Sequence, residues 1–207
     1  MTTDIKSNNA PSDYEIVKRE CMYKGFFQLE KITLRHALFN GGTSKDIIRE
    51  LLVRQEGVCV LIFDPTNDLY LFVEQFRVGA LDEDRAWLFE LVAGLIDKDE
   101  QPEEVARREA FEEAGVVLGK MKFISQYIPS PGGSQEKVYL YIAEANLTSI
   151  DGTVHGLEEE GEDIKVHVMP CDSAYALMEK GKVNNPAALI ALMWMQLHKK
   201  SLLAEWK

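Results

Sequence analysis

The sequence lacks any long apolar run. Nowhere in its 207 residues does an apolar stretch approach the roughly 18 residues that are needed to cross a membrane. The first 15 residues, MTTDIKSNNAPSDYE, are polar and contain no apolar signal core. We therefore expect no export and interpret them as a frayed leader. These absences predict a soluble, cytoplasmic protein with no membrane partner.

Positive charge is also scarce. The chain has 23 Lys and Arg against 34 Asp and Glu, which gives a net charge of −11 at pH 7. Because such a surface repels phosphate backbones, we expect no general binding of nucleic acid. A small phosphate-bearing substrate remains compatible with this charge if a metal ion or one or two arginines supply local positive charge.

Cysteine is rare as well. Cys21, Cys59 and Cys171 are far apart, odd in number and in no metal-ligand spacing. This pattern predicts buried, reduced thiols of a cytosolic protein rather than disulfides or a zinc site.

Turn signals and apolar patterns divide the chain near residue 55. Residues 1–55 contain short β-type runs around the turn at Asn40–Gly42, and they predict a small antiparallel β subdomain. The run VCVLIF at 58–63 is typical of a strand that is buried on both faces. Residues 56–207 then form a second domain of strands and helices, with helices expected near 102–114, 172–180 and 186–204.

The helix predicted between Pro102 and Gly115 carries an unusual set of acids. Glu109 and Glu113 are four residues apart and therefore share one face, with Glu112 beside them. Like charges at this spacing, near the end where the helix dipole disfavours anions, destabilise a helix. A divalent cation, which prefers hard oxygen ligands, would reverse the sign of this effect.

Neighbouring residues fit the same interpretation. Arg108 lies four residues before Glu112, a favourable spacing for an ion pair that orients the carboxylate. Gly94 would permit a tight turn before the helix, and the carbonyl oxygen of Ala93 could bind a metal. Small residues that would let the helix approach a sheet closely are Ala106, Ala110 and Ala114. A lone ExxEE pattern, however, equally fits a solvated amphipathic helix.

The complete stretch GLIDKDEQPEEVARREAFEEAGV (94–116) resembles the Nudix box. Ala110 is small for the aliphatic position that it fills. The positions that match the pattern are Gly94, Glu100, Arg108, Glu109, Ala110, Glu112, Glu113, Gly115 and Val116. The resemblance implies an α/β fold, a three-layer α/β/α sandwich with a mixed sheet, next to the small N-terminal antiparallel β subdomain.

The resemblance also implies roles within the box. Glu109 and Glu113 would be the main ligands of Mg²⁺, with Mn²⁺ as the alternative ion. Glu112 would assist in metal binding and catalysis, and the carbonyl of Ala93 is a further candidate ligand. Arg108 would position a glutamate by a salt bridge.

Further segments resemble bacterial ADP-ribose pyrophosphatases that act as dimers. Pro131, sixteen residues after Gly115, is typical of this subgroup, although Ser-Pro-Gly-Gly also makes a simple turn. The resemblance predicts a homodimer in which residues 1–55 cross to the partner, whereas the apolar last helix could equally be ordinary core. The segments are YKGFFQL (23–29), FELVAGLID (89–97), SPGGSQE (130–136), HGLEEEGEDIKVHV (155–168) and PAALIALMWMQLH (186–198).

In that subgroup a glutamate on the loop after the box deprotonates the attacking water. By its place before Ile164, the matching residue is Glu162, with Glu159 and Glu160 as substitutes. A mobile acidic loop could bring such a carboxylate to a metal-bound water. The alternative is a solvated acidic loop without a catalytic role.

The resemblance assigns substrate recognition to residues outside the box. Phe26 would stack on adenine, and Arg49 and Arg77 would clamp phosphates or the terminal ribose. In such dimers Arg49 and its neighbour Glu50 would act in the partner subunit's site. Ser130 and Glu136 complete the set. The alternatives are that Phe26 is core and that the arginines are surface residues or structural ion pairs.

The predicted function is therefore Mg²⁺-dependent hydrolysis of the pyrophosphate bond of ADP-ribose to AMP and ribose 5-phosphate. One alternative is the same chemistry on another nucleoside-diphosphate sugar or dinucleotide, such as GDP-mannose or NADH. A non-catalytic ADP-ribose sensor and a scaffold with a non-functional box are further alternatives. The presence of every box acid favours an enzyme over both.

Overall fold

The computed structural model describes residues 13–82, 85–97 and 99–207, without the side chain of Glu160. The described chain forms two compact units. The first comprises the described residues up to Arg54 together with Ser130–Glu136, and the second comprises Gln55–Pro129 and Lys137–Lys207.

The first unit is built on three strands, β1 (Tyr14–Lys24), β2 (Gln28–His36) and β3 (Ile47–Val53). They form an antiparallel sheet in the order β1–β2–β3. A parallel bridge between Leu52 and Ser134 joins the segment Ser130–Glu136 to this unit. Since β1 begins at Tyr14, the prediction of a frayed leader is wrong for its last two residues, and residues 1–12 lie outside the described part.

The second unit contains a mixed sheet of eight strands. The strands are β4 (Gly57–Asp64), β5 (Leu69–Phe76), β6 (Trp87–Glu90), β7 (Val92–Leu95), β8 (Met121–Tyr127), β9 (Val138–Glu144), β10 (Val154–His155) and β11 (Ile164–Pro170). The main path through the sheet is β10–β11–β5–β4–β9–β8, while β6 pairs with β5 and β7 pairs with β4. The β4–β9 pair is parallel, whereas the other pairs are antiparallel.

Helices cover both faces of this sheet. On one face, α1 (Pro102–Ala114) packs into a core with Val58 and Val73. On the other face, α2 (Cys171–Glu179) and α3 (Pro186–Glu205) enclose a second core around side chains such as Phe63 and Phe72. The predicted three-layer α/β/α sandwich with a mixed sheet and a small antiparallel sheet is therefore confirmed.

The ends of α1 follow from local signals. Gln101 and Glu104 form a capping box, Pro102 occupies the first helical position, and Gly115 ends the helix in the left-handed conformation with φ 64°. The predicted small-residue stripe is buried against the sheet: Ala106, Ala110 and Ala114. This close packing places the acidic face of α1 beside the strands.

Leu91 separates β6 from β7, because β6 pairs with β5 whereas β7 pairs with β4. The prediction of buried thiols holds for Cys171 but is wrong for the other two cysteines: Cys59 is partly exposed, and Cys21 is exposed because it lies on an outer strand of a three-stranded sheet. Among the described residues, no helix combines the length and apolarity that crossing a membrane requires.

Candidate active site

Glu113 is the most deeply buried acid of α1. Only 2% of the residue is exposed, and its Oε2 accepts a hydrogen bond from the backbone N–H of Ala93 at 3.0 Å. Burial raises the pKa of Glu113 to about 8; the Ala93 bond opposes this rise, and the charges of Glu109 and Glu162 add to it. Within the described residues, no cationic side chain forms an ion pair with this carboxylate.

Glu109 lies one turn earlier on the same face. Burial raises its pKa to about 7, against the attraction of Arg108 and with the repulsion of Glu112 and Glu162. A β-carbon added to Gly94 would overlap the Glu109 carboxylate. The expectation that Gly94 serves a tight turn is therefore wrong: it lies within β7, and its missing side chain makes room for this acid.

Arg108 connects three carboxylates. Its Nε lies 3.1 Å from Oε1 of Glu100. Its Nη1 lies 2.8 Å from Oε1 of Glu109 and 2.9 Å from Oε2 of Glu112. The Glu100 bond is the main reason why the pKa of Arg108 lies above its ordinary range. One cation faces three anions here, so the acidic face keeps a net negative charge.

Glu162 is the acid of the later loop that the structure brings towards α1. It is half-buried, and its charge contributes to the raised pKa of both Glu109 and Glu113. Its Oε2 accepts a hydrogen bond from the backbone N–H of Leu157 at 3.0 Å. Glu159, by contrast, is exposed, and the side chain of Glu160 lies outside the described part.

Arg77 is the substrate-binding candidate within the second unit. Its Nε lies 2.7 Å from Oε2 of Glu90, and its charge acts to lower the pKa of Glu113. The guanidinium is therefore paired but remains close enough to influence the acidic face. Sequence reasoning missed Glu90; the only available signal is an acid that ends the apolar strand run WLFE.

The remaining candidates belong to the first unit. Phe26 is 84% exposed and contacts Phe27 edge-on, so the core alternative does not hold. The other four are placed as follows: Arg49 is exposed and donates to the carbonyl of Ile48, Glu50 and Ser130 are exposed, and Glu136 pairs with Arg54 at 2.9 Å.

The donor set of the second unit fits a divalent cation. It offers hard carboxylate oxygens, excess negative charge, and a buried acid, Glu113, that pairs with no cation in the described part of the chain. No three acidic, histidine or cysteine side chains among the described residues form a ready-made metal group. Divalent cations such as Mg²⁺ are commonly held by one or two carboxylates together with water and substrate phosphates.

Comparison with known proteins identifies the family. Residues 53–193 match the NUDIX domain. The chain belongs to the Nudix family. This Nudix chain is 42% identical to the ADP-ribose pyrophosphatase of Escherichia coli K12, over 98% of its own length and 99% of the relative. It is 32% identical to the GDP-mannose pyrophosphatase of Enterobacter sp. 638, over 88% and 95% of the two chains.

A solved structure supports the Nudix fold. The crystal structure of an ADP compounds hydrolase matches with a TM-score of 0.69 and 20% identity, covering 91% of this chain and 96% of the other. The family prediction is thus confirmed, and the whole acidic helix lies inside the matched residues. Nudix hydrolases generally use a divalent metal ion.

Proposed function

We propose that this Nudix chain hydrolyses the pyrophosphate bond of ADP-ribose to AMP and ribose 5-phosphate. The main supporting observation is that Glu113 is buried beside Glu109 and forms no ion pair with a cation among the described residues, while the charge of Glu162 acts on both acids. Such a cluster is costly to bury unless a cation binds there. The nearly full-length similarity to a protein named ADP-ribose pyrophosphatase supports the choice of substrate.

In this proposal Glu109 and Glu113 are the principal ligands of Mg²⁺, with Mn²⁺ as an alternative, and Glu112 and the carbonyl of Ala93 assist. When bound, such ions neutralise charge that develops on the phosphates and lower the pKa of a bound water. Ala93 suits the role because its own N–H already holds Glu113.

The chain's remaining groups position and move protons. Arg108 holds Glu109 and Glu112 through one shared nitrogen, which fixes the spacing of the two carboxylates. Glu162 accepts the proton of the water that attacks phosphorus in line. Water supplies the oxygen of the new phosphate bond, and AMP and ribose 5-phosphate leave.

Six residues outside the acidic helix are proposed to contact the substrate. Arg77 contacts a phosphate, because its charge is close enough to Glu113 to act on the pKa of that acid. Phe26 stacks on adenine, for which its exposed ring is suited. The remaining proposed contacts are Arg49, Glu50, Ser130 and Glu136. The chain is proposed to act as a cytoplasmic homodimer, with Arg49 and Glu50 serving the neighbouring protomer, and to need neither nucleic acid nor a membrane.

A product assay tests this proposal. Purified protein with Mg²⁺ is offered ADP-ribose, GDP-mannose, NADH and diadenosine polyphosphates side by side. We expect release of AMP and ribose 5-phosphate from ADP-ribose, and Glu109→Gln should lower kcat by several orders of magnitude. Preference for GDP-mannose, for which the Enterobacter relative is the supporting observation, would overturn the substrate while keeping the chemistry. Tight ADP-ribose binding without turnover would indicate a sensor.

A further inference from the structure

Three consecutive residues lie between the end of α1 and the acidic loop, residues 158–163, and contact both. His155 is the last residue of β10, and Gly156 and Leu157 follow it. The ring of His155 lies so close to Gly115, the C-cap of α1, that a β-carbon there would be 2.8 Å from its Cε1. The His155 ring is itself held by a 2.9 Å hydrogen bond between its Nε2 and Oγ1 of Thr153.

Gly156 is fitted closely to Glu162. A β-carbon added to Gly156 would lie 2.7 Å from Cβ of Glu162 and 3.2 Å from its backbone carbon. The closest of these distances is shorter than van der Waals contact allows, so a larger residue would displace the glutamate. Gly156 also has φ +107°, a conformation that residues with a side chain rarely adopt.

Leu157 completes the contact through its backbone. Its N–H donates to Oε2 of Glu162 at 3.0 Å, and its carbonyl accepts from the N–H of Glu162 at 3.2 Å. The side chain and the backbone of the same glutamate are therefore held by one residue.

We propose that His155–Leu157 is a positioning segment, in which Gly156 sets the place of the Glu162 carboxylate relative to the end of α1. The inference rests on the proposed function, since it assigns a role through the proton-accepting glutamate. The segment contacts the end of α1 through His155 and the acidic loop through Gly156 and Leu157. It therefore fixes the distance between α1 and the loop. Its loss should impair proton transfer and leave substrate binding intact.

The test compares two glycines with left-handed backbones. Gly156→Ala should lower kcat for ADP-ribose about a hundredfold with little change in KM, because small misplacements of a reacting group have effects of that size. Gly152→Ala is the matched control: Gly152 has φ +77°, and nothing lies within 4 Å of an added β-carbon. The control should keep kcat within about twofold of wild type, since only the backbone strain is shared.

A double-mutant cycle separates positioning from general destabilisation. In a Glu162→Gln background, Gly156→Ala should change kcat by less than about twofold, because the group that it displaces no longer accepts a proton. An equal loss of kcat in both backgrounds would overturn the proposal. A Gly156→Ala protein that is as active as the Gly152→Ala control would also overturn the proposal.

A second variant keeps the inference testable if Gly156→Ala does not fold. His155→Ala removes the contact with Gly115 without altering a left-handed residue, and it should lower kcat roughly tenfold at unchanged KM. Full activity of this variant would contradict the role of the segment. Wild-type protein that turns over none of the pyrophosphate substrates would instead contradict the proposed function, so the two failures are distinguishable.

Discussion

The carboxylate of Glu109 occupies the space that a side chain at Gly94 would need. Gly94 lies in β7, beside α1, and its lack of a β-carbon lets the acid lie directly against the strand. In the same strand, the backbone N–H of Ala93 donates a hydrogen bond to Glu113. Two acids of one helix are thus located by two adjacent residues of one strand.

Gly94→Ala should therefore displace Glu109. We expect kcat for ADP-ribose to fall about a hundredfold, because the carboxylate cannot keep its place beside the strand. Steady-state kinetics at several Mg²⁺ concentrations measure the effect. Gly57→Ala in β4 is the control, since its β-carbon would make only an ordinary 3.5 Å contact with the carbonyl of Gly94. Equal kcat in both variants would disprove the role of Gly94.

Arg108→Lys should lower kcat/KM by about 10- to 100-fold, the range typical of residues that orient metal ligands. Lysine keeps the charge but lacks the planar fork that bridges Glu100, Glu109 and Glu112. Arg107→Lys is the matched control, because Arg107 contacts Glu103 and the carbonyls that follow α1. Kinetics and the melting temperature are measured for both, and a larger kinetic loss in the control would contradict this account.

The metal-free protein should lose stability as pH rises. Burial raises the pKa of Glu113 to about 8, above its ordinary value of 4.5. Between these values the folded state binds more protons than the unfolded state, so the free energy of unfolding falls with increasing pH. In EDTA, melting temperatures should fall between pH 5 and 8 more steeply for wild type than for Glu113→Gln. Added Mg²⁺ should restore stability at pH 8. If the melting temperatures of wild type and Glu113→Gln fell equally steeply with pH, Glu113 would not be the group responsible.

Asp64 should stabilise the fold without serving catalysis. Its buried carboxylate accepts hydrogen bonds from the backbone N–H groups of Thr66, Asn67 and Leu147. Asp64→Ala leaves these donors unpaired, so we expect a loss of roughly 3 kcal/mol in urea unfolding. Asp68→Asn in the same turn is the control and should cost less than about 1 kcal/mol, because the Asp68 carboxylate that pairs with Lys199 is exposed.

Acid should also remove the contribution of Asp64. Burial acts to raise its pKa, but the bonds from Asn67, Leu147 and Thr66 together lower it below 3.8. With a lowered pKa in the folded state, the stabilisation is present above the unfolded value and is lost as pH falls through the folded one. Urea unfolding from pH 5 downwards should therefore show wild type approaching Asp64→Ala. A stability gap that stays constant down to pH 2 would contradict this.

Local signals were sufficient for α1. The range Pro102–Ala114, the small-residue stripe and the shared face of Glu109 and Glu113 all follow from spacing and capping within one continuous segment. The mixed sheet between helices followed from the resemblance that this segment carries. Such features depend on residues close in the chain, where helix geometry alone fixes which side chains are neighbours.

Contacts between distant segments were decided only by the tertiary structure. The spacing of the box shows that Arg108 can reach Glu112, whereas the distance from Arg108 to Glu100 depends on how the preceding loop packs against the helix. The role of Gly94 depends on the distance between β7 and α1, which no local pattern encodes.

The sequence by itself determined the family, the acidic helix and three candidate glutamates in the later loop. The tertiary structure brought Glu162 towards α1, because β10 pairs with β11 and Gly156 admits the glutamate at close range. Spacing along a helix is set by its own backbone, whereas the approach of a loop to that helix is set by strand pairing and by the space that a missing side chain leaves.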